Sequence, residues 1–251
     1  MQAIGRSFRN LWVIFFHEFK LFFVSPIVYI IAFAWIALAG IAFSFFFGNM
    51  NTGQQEPSMT GTISFLTGFV MLMTAPALTM RLIAEELNGG THELLFTAPV
   101  RDWEVVVGKW LAAWAVATCF MLLLALYALF LASRGNPDPG LMLANFLGLW
   151  LIAGATLSIG VFTSSLSKYQ GIAFFAGLII VFILYYINLV SFIISNQVLS
   201  DIVTHLALRT HQDKLLQQGV IDWTDVAYYV GIISIFLFLG TQVLGSRRWR
   251  S

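Results

Sequence analysis

The sequence predicts an all-α integral membrane protein of about six transmembrane helices, with an N-terminal interfacial amphipathic helix and a re-entrant segment before the last span. Three observations predict it. Hydrophobic residues make up 59% of the 251-residue chain and charged residues only 10%, whereas a soluble domain carries roughly 25% charged residues. The apolar residues fall into runs of the length that crosses a bilayer, about 20 residues each. The Lys and Arg residues gather in alternate connections between those runs, the bias that keeps basic loops inside. The whole length is one transmembrane domain, with little left over for a soluble one.

Residues 1–25 set Arg6, Arg9, His17, Glu18 and Lys20 among Leu11, Trp12, Phe15, Phe16, Phe19, Phe22 and Phe23. Aromatics at helical spacing beside basic residues predict a helix lying in the membrane interface. The apolar run is too long for a signal peptide and no cleavage site follows it, so the segment is expected to be retained. Residues 26–47 are the first span, with Pro26 in the first turn, where its missing N–H costs nothing. The stretch 48–61 is polar, lacks Lys and Arg, and reads as an external loop. Residues 62–80 are the second span, and Pro76 is expected to kink it.

Residues 81–102 form the most charge-rich segment of the chain. Charge between two spans belongs in water, and Arg81, Arg101 and the nearby Lys109 assign that water to the cytoplasm. Glu85 and Glu86 continue the preceding helix. Gly89 and Gly90 allow the left-handed turn that ends it. Thr91 can cap a new short helix, with Glu93 near its positive end. Leu94, Leu95 and Phe96 give that helix an apolar face, Pro99 stops it, and Asp102 can cap the next span. Neither adjacent span buries this apolar face. It lies on the membrane surface or its own bundle, or it meets a partner.

Residues 103–132 contain the third span, and the turn-rich Arg134–Gly140 that follows reads as an external loop. Residues 141–162 are the fourth span, where Gly148, Gly154, Ala155, Ser158 and Gly160 leave a thin surface for close helix packing. A short internal loop with Lys168 leads to the fifth run, 171–195. That run is long, and Asn188, Ser191, Ser195 and Asn196 dilute its end, so the chain is expected to bend back there. Residues 197–225 mix Leu199, Ile202, Val203 and Leu206 with Asp201, His205, Arg209 and His211, as an external amphipathic helix packed on the bundle would. Residues 226–244 are the last span, followed by Arg247, Arg248 and Arg250. With these boundaries only Arg134, Arg209 and Lys214 fall outside among all the Lys and Arg residues. Both termini are therefore expected in the cytoplasm.

Several classes of chemistry are excluded. The net charge of +1 gives no case for nucleic-acid binding. Cys119 is the single cysteine, so no intramolecular disulfide can form. No span core is expected to hold a charged residue, so an ion-coupling device of the usual kind is missing. Gly108-Lys109 has Trp103 where a phosphate-binding loop needs its first glycine. His92-Glu93 and His17-Glu18 are each half of a zinc-protease motif, but Phe96 and Leu21 stand where the second His belongs. His205 and His211 are better explained by an exposed polar helix than by a metal. The chain is thus expected to be no enzyme, with no catalytic residue, no metal site and no cofactor of its own; energy for any transport must come from another chain.

Nearly the full length resembles a known family. The matching residues are His17-Glu18-Phe19-Lys20, Ser25-Pro26-Ile27-Val28-Tyr29 and Thr79-Met80-Arg81-Leu82-Ile83-Ala84-Glu85-Glu86. They continue at Gly90-Thr91-His92-Glu93-Leu94-Leu95-Phe96-Thr97-Ala98-Pro99-Val100, Gly108-Lys109, Gly135-Asn136-Pro137-Asp138 and Ser165-Leu166-Ser167-Lys168-Tyr169-Gln170, and close with Gly219-Val220-Ile221-Asp222 and Ser246-Arg247-Arg248-Trp249-Arg250. In these the chain resembles membrane permease subunits of ABC transporters of the type-2 export class, most closely gliding-motility-type permeases.

The resemblance implies half of a translocation pathway, completed by a second permease subunit as a homo- or heterodimer in a bacterial inner membrane, with room for an external accessory subunit. It implies that the 85–100 loop couples to a separate cytosolic ABC ATPase, which binds the ATP and Mg. Glu85, Glu86, Gly90, Thr91, Glu93, Leu94, Leu95, Phe96 and Pro99 would be the coupling residues. One departure is that the family has a basic residue and a Ser where this chain has Leu87-Asn88-Gly89, which makes the docking surface less basic. The rival reading is a non-transporting membrane anchor or scaffold whose loop recruits a cytosolic partner.

Overall fold

The computed structural model describes residues 2–51, 59–89, 100–134, 137–192, 194, 196–219 and 222–248. Helix α1 (Gln2–Val24) stops at Ser25, because Pro26 disfavours helical geometry in the residue before it and then opens α2 (Pro26–Asn51). The next apolar run is broken: α3 (Thr60–Phe65) passes into a π-helical stretch, Leu66–Met71, and then into α4 (Leu72–Thr79). The two halves meet at 48°. The bend thus lies before Pro76 and not at it. A proline ring presses on the carbonyl four residues earlier; here that is Leu72, where the π-helical stretch gives way to α4.

A turn leads to α5 (Ala84–Gly89). Helix α6 (Asp102–Arg134) starts with Asp102 and Glu104 in its first turn, where acidic side chains face the positive helix end. Helix α7 (Pro139–Leu166) is capped by Asp138, which accepts from the Gly140 N–H at 2.8 Å, with Pro139 in the first helical position. Helix α8 (Gln170–Tyr186) tightens into a 3-10 helix over Ile187–Phe192. Asn196 caps α9 (Gln197–Leu206), and Gly219, at φ 63°, closes α10 (Leu208–Gln218). Helix α11 (Trp223–Arg248) completes the described chain.

Among the described residues, α2, α6, α7, α11 and α8 with its 3-10 extension are each long and apolar enough to cross a membrane, and the bent α3–α4 pair adds a sixth span if counted as one. The chain is an all-α integral membrane protein. Its centre is α7, which packs against α4, α6, α8, α10 and α11. The small residues of α7 are where neighbours come closest. Gly154 lies under Trp114, and a Cβ on Gly160 would fall 2.0 Å from Thr79 Oγ1. Trp110 donates to the Gly154 carbonyl at 2.9 Å, and Trp114 stacks on Trp150 at 4.1 Å. The other spans leave apolar residues such as Leu122, Leu129, Phe175 and Ile179 exposed, as surfaces meeting lipid do.

The segment before the last span folds as two helices. Helix α9 keeps Val198, Leu199 and Ile202 exposed, while α10 packs on α3, α7 and α8. His211 is therefore not on an exposed polar face, as its sequence context suggests. It is 7% exposed and faces Asp225 of α11, because α10 folds back over the start of that helix.

Candidate functional site

Helix α5 runs directly into the 90–99 segment, and three devices fasten it. The first comes from α7. Ser164 Oγ accepts from the Ile83 and Ala84 N–H groups, each at 3.1 Å, and donates to the Met80 carbonyl at 3.1 Å. One distant serine thus satisfies helix-start donors that no local residue caps. The second is Arg81, which donates to Ser25 Oγ and lies 5.3 Å over the Phe22 ring, a cation–π contact. It ties the α4–α5 turn to the break between α1 and α2.

The third device is a buried charge knot. Lys109 Nζ lies 2.6 Å from Glu18 Oε1 of α1 and 2.8 Å from Glu86 Oε1 of α5. The Lys109 side chain is 2% exposed. An ammonium so placed carries three donors and must spend them on the protein; two carboxylates from separate elements take two of them. The interaction of such charges with each other offsets their loss of water only when the geometry is good, so Lys109 fixes α1, α5 and α6 relative to one another.

Helix α1 is held at a second point. Glu104 is buried and accepts from Ser7 Oγ, from Asn10 Nδ2 at 3.2 Å and from the Arg101 N–H at 3.2 Å. The last of these is one half of a capping box at the start of α6. Contacts advance from Ser7 to Glu18 along α1 but only from Glu104 to Lys109 along α6. The two helices therefore cross. At the crossing a Cβ on Gly108 would lie 2.9 Å from Ile14 Cγ2.

Between these elements lies an open cleft of about 530 Å³, lined by Glu18, Arg81, Glu85, Glu86 and Lys109 among apolar residues of α1. Glu85 is exposed at its edge. Glu86 turns inward to Lys109. Gly90, Thr91, Glu93, Leu94, Leu95, Phe96 and Pro99 lie outside the described residues. The sequence reading places Lys109 among the loop charges and misses its pairing with Glu18. The available signal was a lysine two turns inside an apolar helix, between Val105–Val107 and Trp110, since a charge in that setting needs a named partner. Ser164 and Ser25 gave no signal of their own, because their partners are distant backbone and side-chain groups.

A multi-pass bundle with a buried charge knot at the base of its 85–100 connection is the architecture of a membrane component. The chain belongs to the ABC-2 family of transporter proteins, whose model matches residues 12–249. It is thus a permease component of an ABC transporter: the transmembrane part, associated with an ABC ATPase and not itself one. No curated protein matches the chain.

Proposed function

We propose that this chain is the permease subunit of an ATP-driven exporter in a bacterial inner membrane, with both termini cytoplasmic. A second permease subunit completes the pathway, and a separate cytosolic ATPase, which binds the ATP and Mg, docks on the 85–100 loop. The observation that carries this reading is the fastening of α5. A loop meant only to join two spans needs no platform, whereas one that transmits force does. Glu86, Lys109 and Glu18 link the base of the loop to α6 and α1, so a push on the loop reaches a span and the crossing helix together. The resemblance of the Thr79–Glu86 and Gly90–Val100 runs supports the gliding-motility type among such permeases.

In this reading Leu94, Leu95 and Phe96 fill an apolar pocket of the ATPase, and Glu85, Glu93 and the flanking polar groups make its rim contacts. Gly90, Thr91 and Pro99 shape the loop. ATP binding closes the ATPase dimer, and the loops carry that closure into the bundles. The test is affinity purification from native membranes in mild detergent, with an ATPase assay on the eluate. The wild-type chain brings down an active ATPase. Leu94→Asp with Leu95→Asp inserts normally and loses it. If the double variant retains a stimulated ATPase, the docking assignment is wrong. If the wild type brings down none, the anchor or scaffold reading replaces it.

A further inference from the structure

The cleft between α1 and α5 carries more charge than the knot uses. Three carboxylates, Glu18, Glu85 and Glu86, and two cations, Arg81 and Lys109, line it. Lys109 takes up Glu18 and Glu86. Arg81 and Glu85 remain. They lie one helical turn apart, since the Glu85 N–H donates to the Arg81 carbonyl at 3.2 Å, and neighbours at that spacing can pair. Here they do not. Arg81 is held on Ser25 Oγ and the Phe22 ring instead, and neither of these neutralises a guanidinium. The Glu85 carboxylate has no ion pair among the described residues.

The cleft also lies at the level of a membrane surface. Ser25 is the break at which α1 ends and the first span begins with Pro26, and it is the residue that Arg81 holds. Two further lining residues, Leu21 and Val24, are 47% and 78% exposed. Ile27 and Ile30 continue the exposed apolar surface into the span. A ligand suited to this place has a charged head beside apolar chains, which is the build of a phospholipid.

The charges choose the headgroup. A phosphate suits Arg81, whose planar fork of donors matches phosphate oxygens. A headgroup with a phosphate and no cation would leave Glu85 unpaired and add to an excess of negative charge. A cation without phosphate would leave Arg81 unpaired and meet its repulsion. Phosphoethanolamine carries both charges, separated by two carbons, a reach on the order of one helical turn, about 5 Å. Its primary ammonium also brings N–H donors, which a carboxylate accepts as charge-assisted hydrogen bonds.

We propose that the cleft between α1 and α5 binds a membrane phospholipid with a primary amine in its headgroup, the phosphate held by Arg81 and the ammonium by Glu85. The acyl chains leave past Leu21 and Val24 along the start of the first span. The proposed orientation decides only that the lipid comes from the cytoplasmic leaflet. Binding is read on the permease without its ATPase, so neither outcome depends on the docking assignment.

The experiment is native mass spectrometry of the full chain in mild detergent, with phosphatidylethanolamine and phosphatidylglycerol of matched acyl chains added in turn. The wild type is expected to retain the ethanolamine lipid about threefold to fivefold better, the size of a partly exposed ion pair. Glu85→Gln brings that ratio to about one, and Glu85→Asp keeps most of it. Arg81→Gln lowers the retention of both lipids; should that variant fail to fold, the Glu85 variants, changed at an exposed side chain, carry the test alone. Equal retention of the two lipids by the wild type overturns the proposal, as does a preference that survives in Glu85→Gln. Displacement of the bound lipid by glycerophosphoethanolamine at equal concentration would make the ligand a soluble amine phosphate and overturn the lipid assignment.

Discussion

Lys109 is the residue on which the platform turns. Replacing it by Met keeps the bulk and removes the charge, leaving Glu18 and Glu86 facing each other with nothing between them. Removing one partner of a buried ion pair costs about 3–5 kcal/mol, and the lower end is expected because the Glu86 side chain is 27% exposed. Thermal unfolding in nanodiscs reads the loss. Adding Glu18→Gln and Glu86→Gln to Lys109→Met restores most of it, since neutral amides need no counter-charge. Coupling behaves differently: ATPase stimulation stays low in the triple variant, because the charged link between loop base and span is gone even where stability returns. Recovery of both together would make the knot a matter of stability alone.

Among elements, the approach of α4 to α7 is the tightest. Thr79 Oγ1 donates to the Ala75 carbonyl at 2.8 Å, which fixes its rotamer just where Gly160 leaves room. Gly160→Ala then forces α4 and α7 apart, at about 1–3 kcal/mol for overpacking. Thr79→Ala removes the obstructing hydroxyl, so the double variant should lie well above the sum of the two single effects in a thermal-denaturation cycle. Additive losses would mean that the two helices do not meet at this pair. One element boundary was legible where local chemistry sets it, since Pro26 opens α2; the start of α7 at Pro139 lies inside the stretch read as a loop, and the close of α10 at Gly219 was not read from the sequence. The bend in the second apolar run was legible as a fact but not as a place. Pro76 announces a disturbance, and the disturbance appears at the carbonyl its ring meets.

At the scale of the molecule, the proposed orientation makes a direct prediction. In a Cys119→Ser background, Asp138→Cys reacts with a membrane-impermeant maleimide added to intact cells with permeabilised outer membranes. Tyr169→Cys, exposed in the turn between α7 and α8, reacts only after the inner membrane is opened. The reverse pattern would invert the orientation.

The sequence by itself determined the membrane class and the all-α architecture of about six spans. These follow from composition and run length, which act locally and need no partner. The small residues of α7 likewise announced a helix that others approach closely. Only the tertiary structure decided what the charges do. Lys109 looked like a loop charge and is the centre of a knot, because its partners Glu18 and Glu86 come from distant points of the chain. His211 looked like part of a solvated face and is buried on Asp225, because α10 folds back over α11. A side chain's spacing to its neighbours sets its helix face, but what that face meets depends on the path of the whole chain.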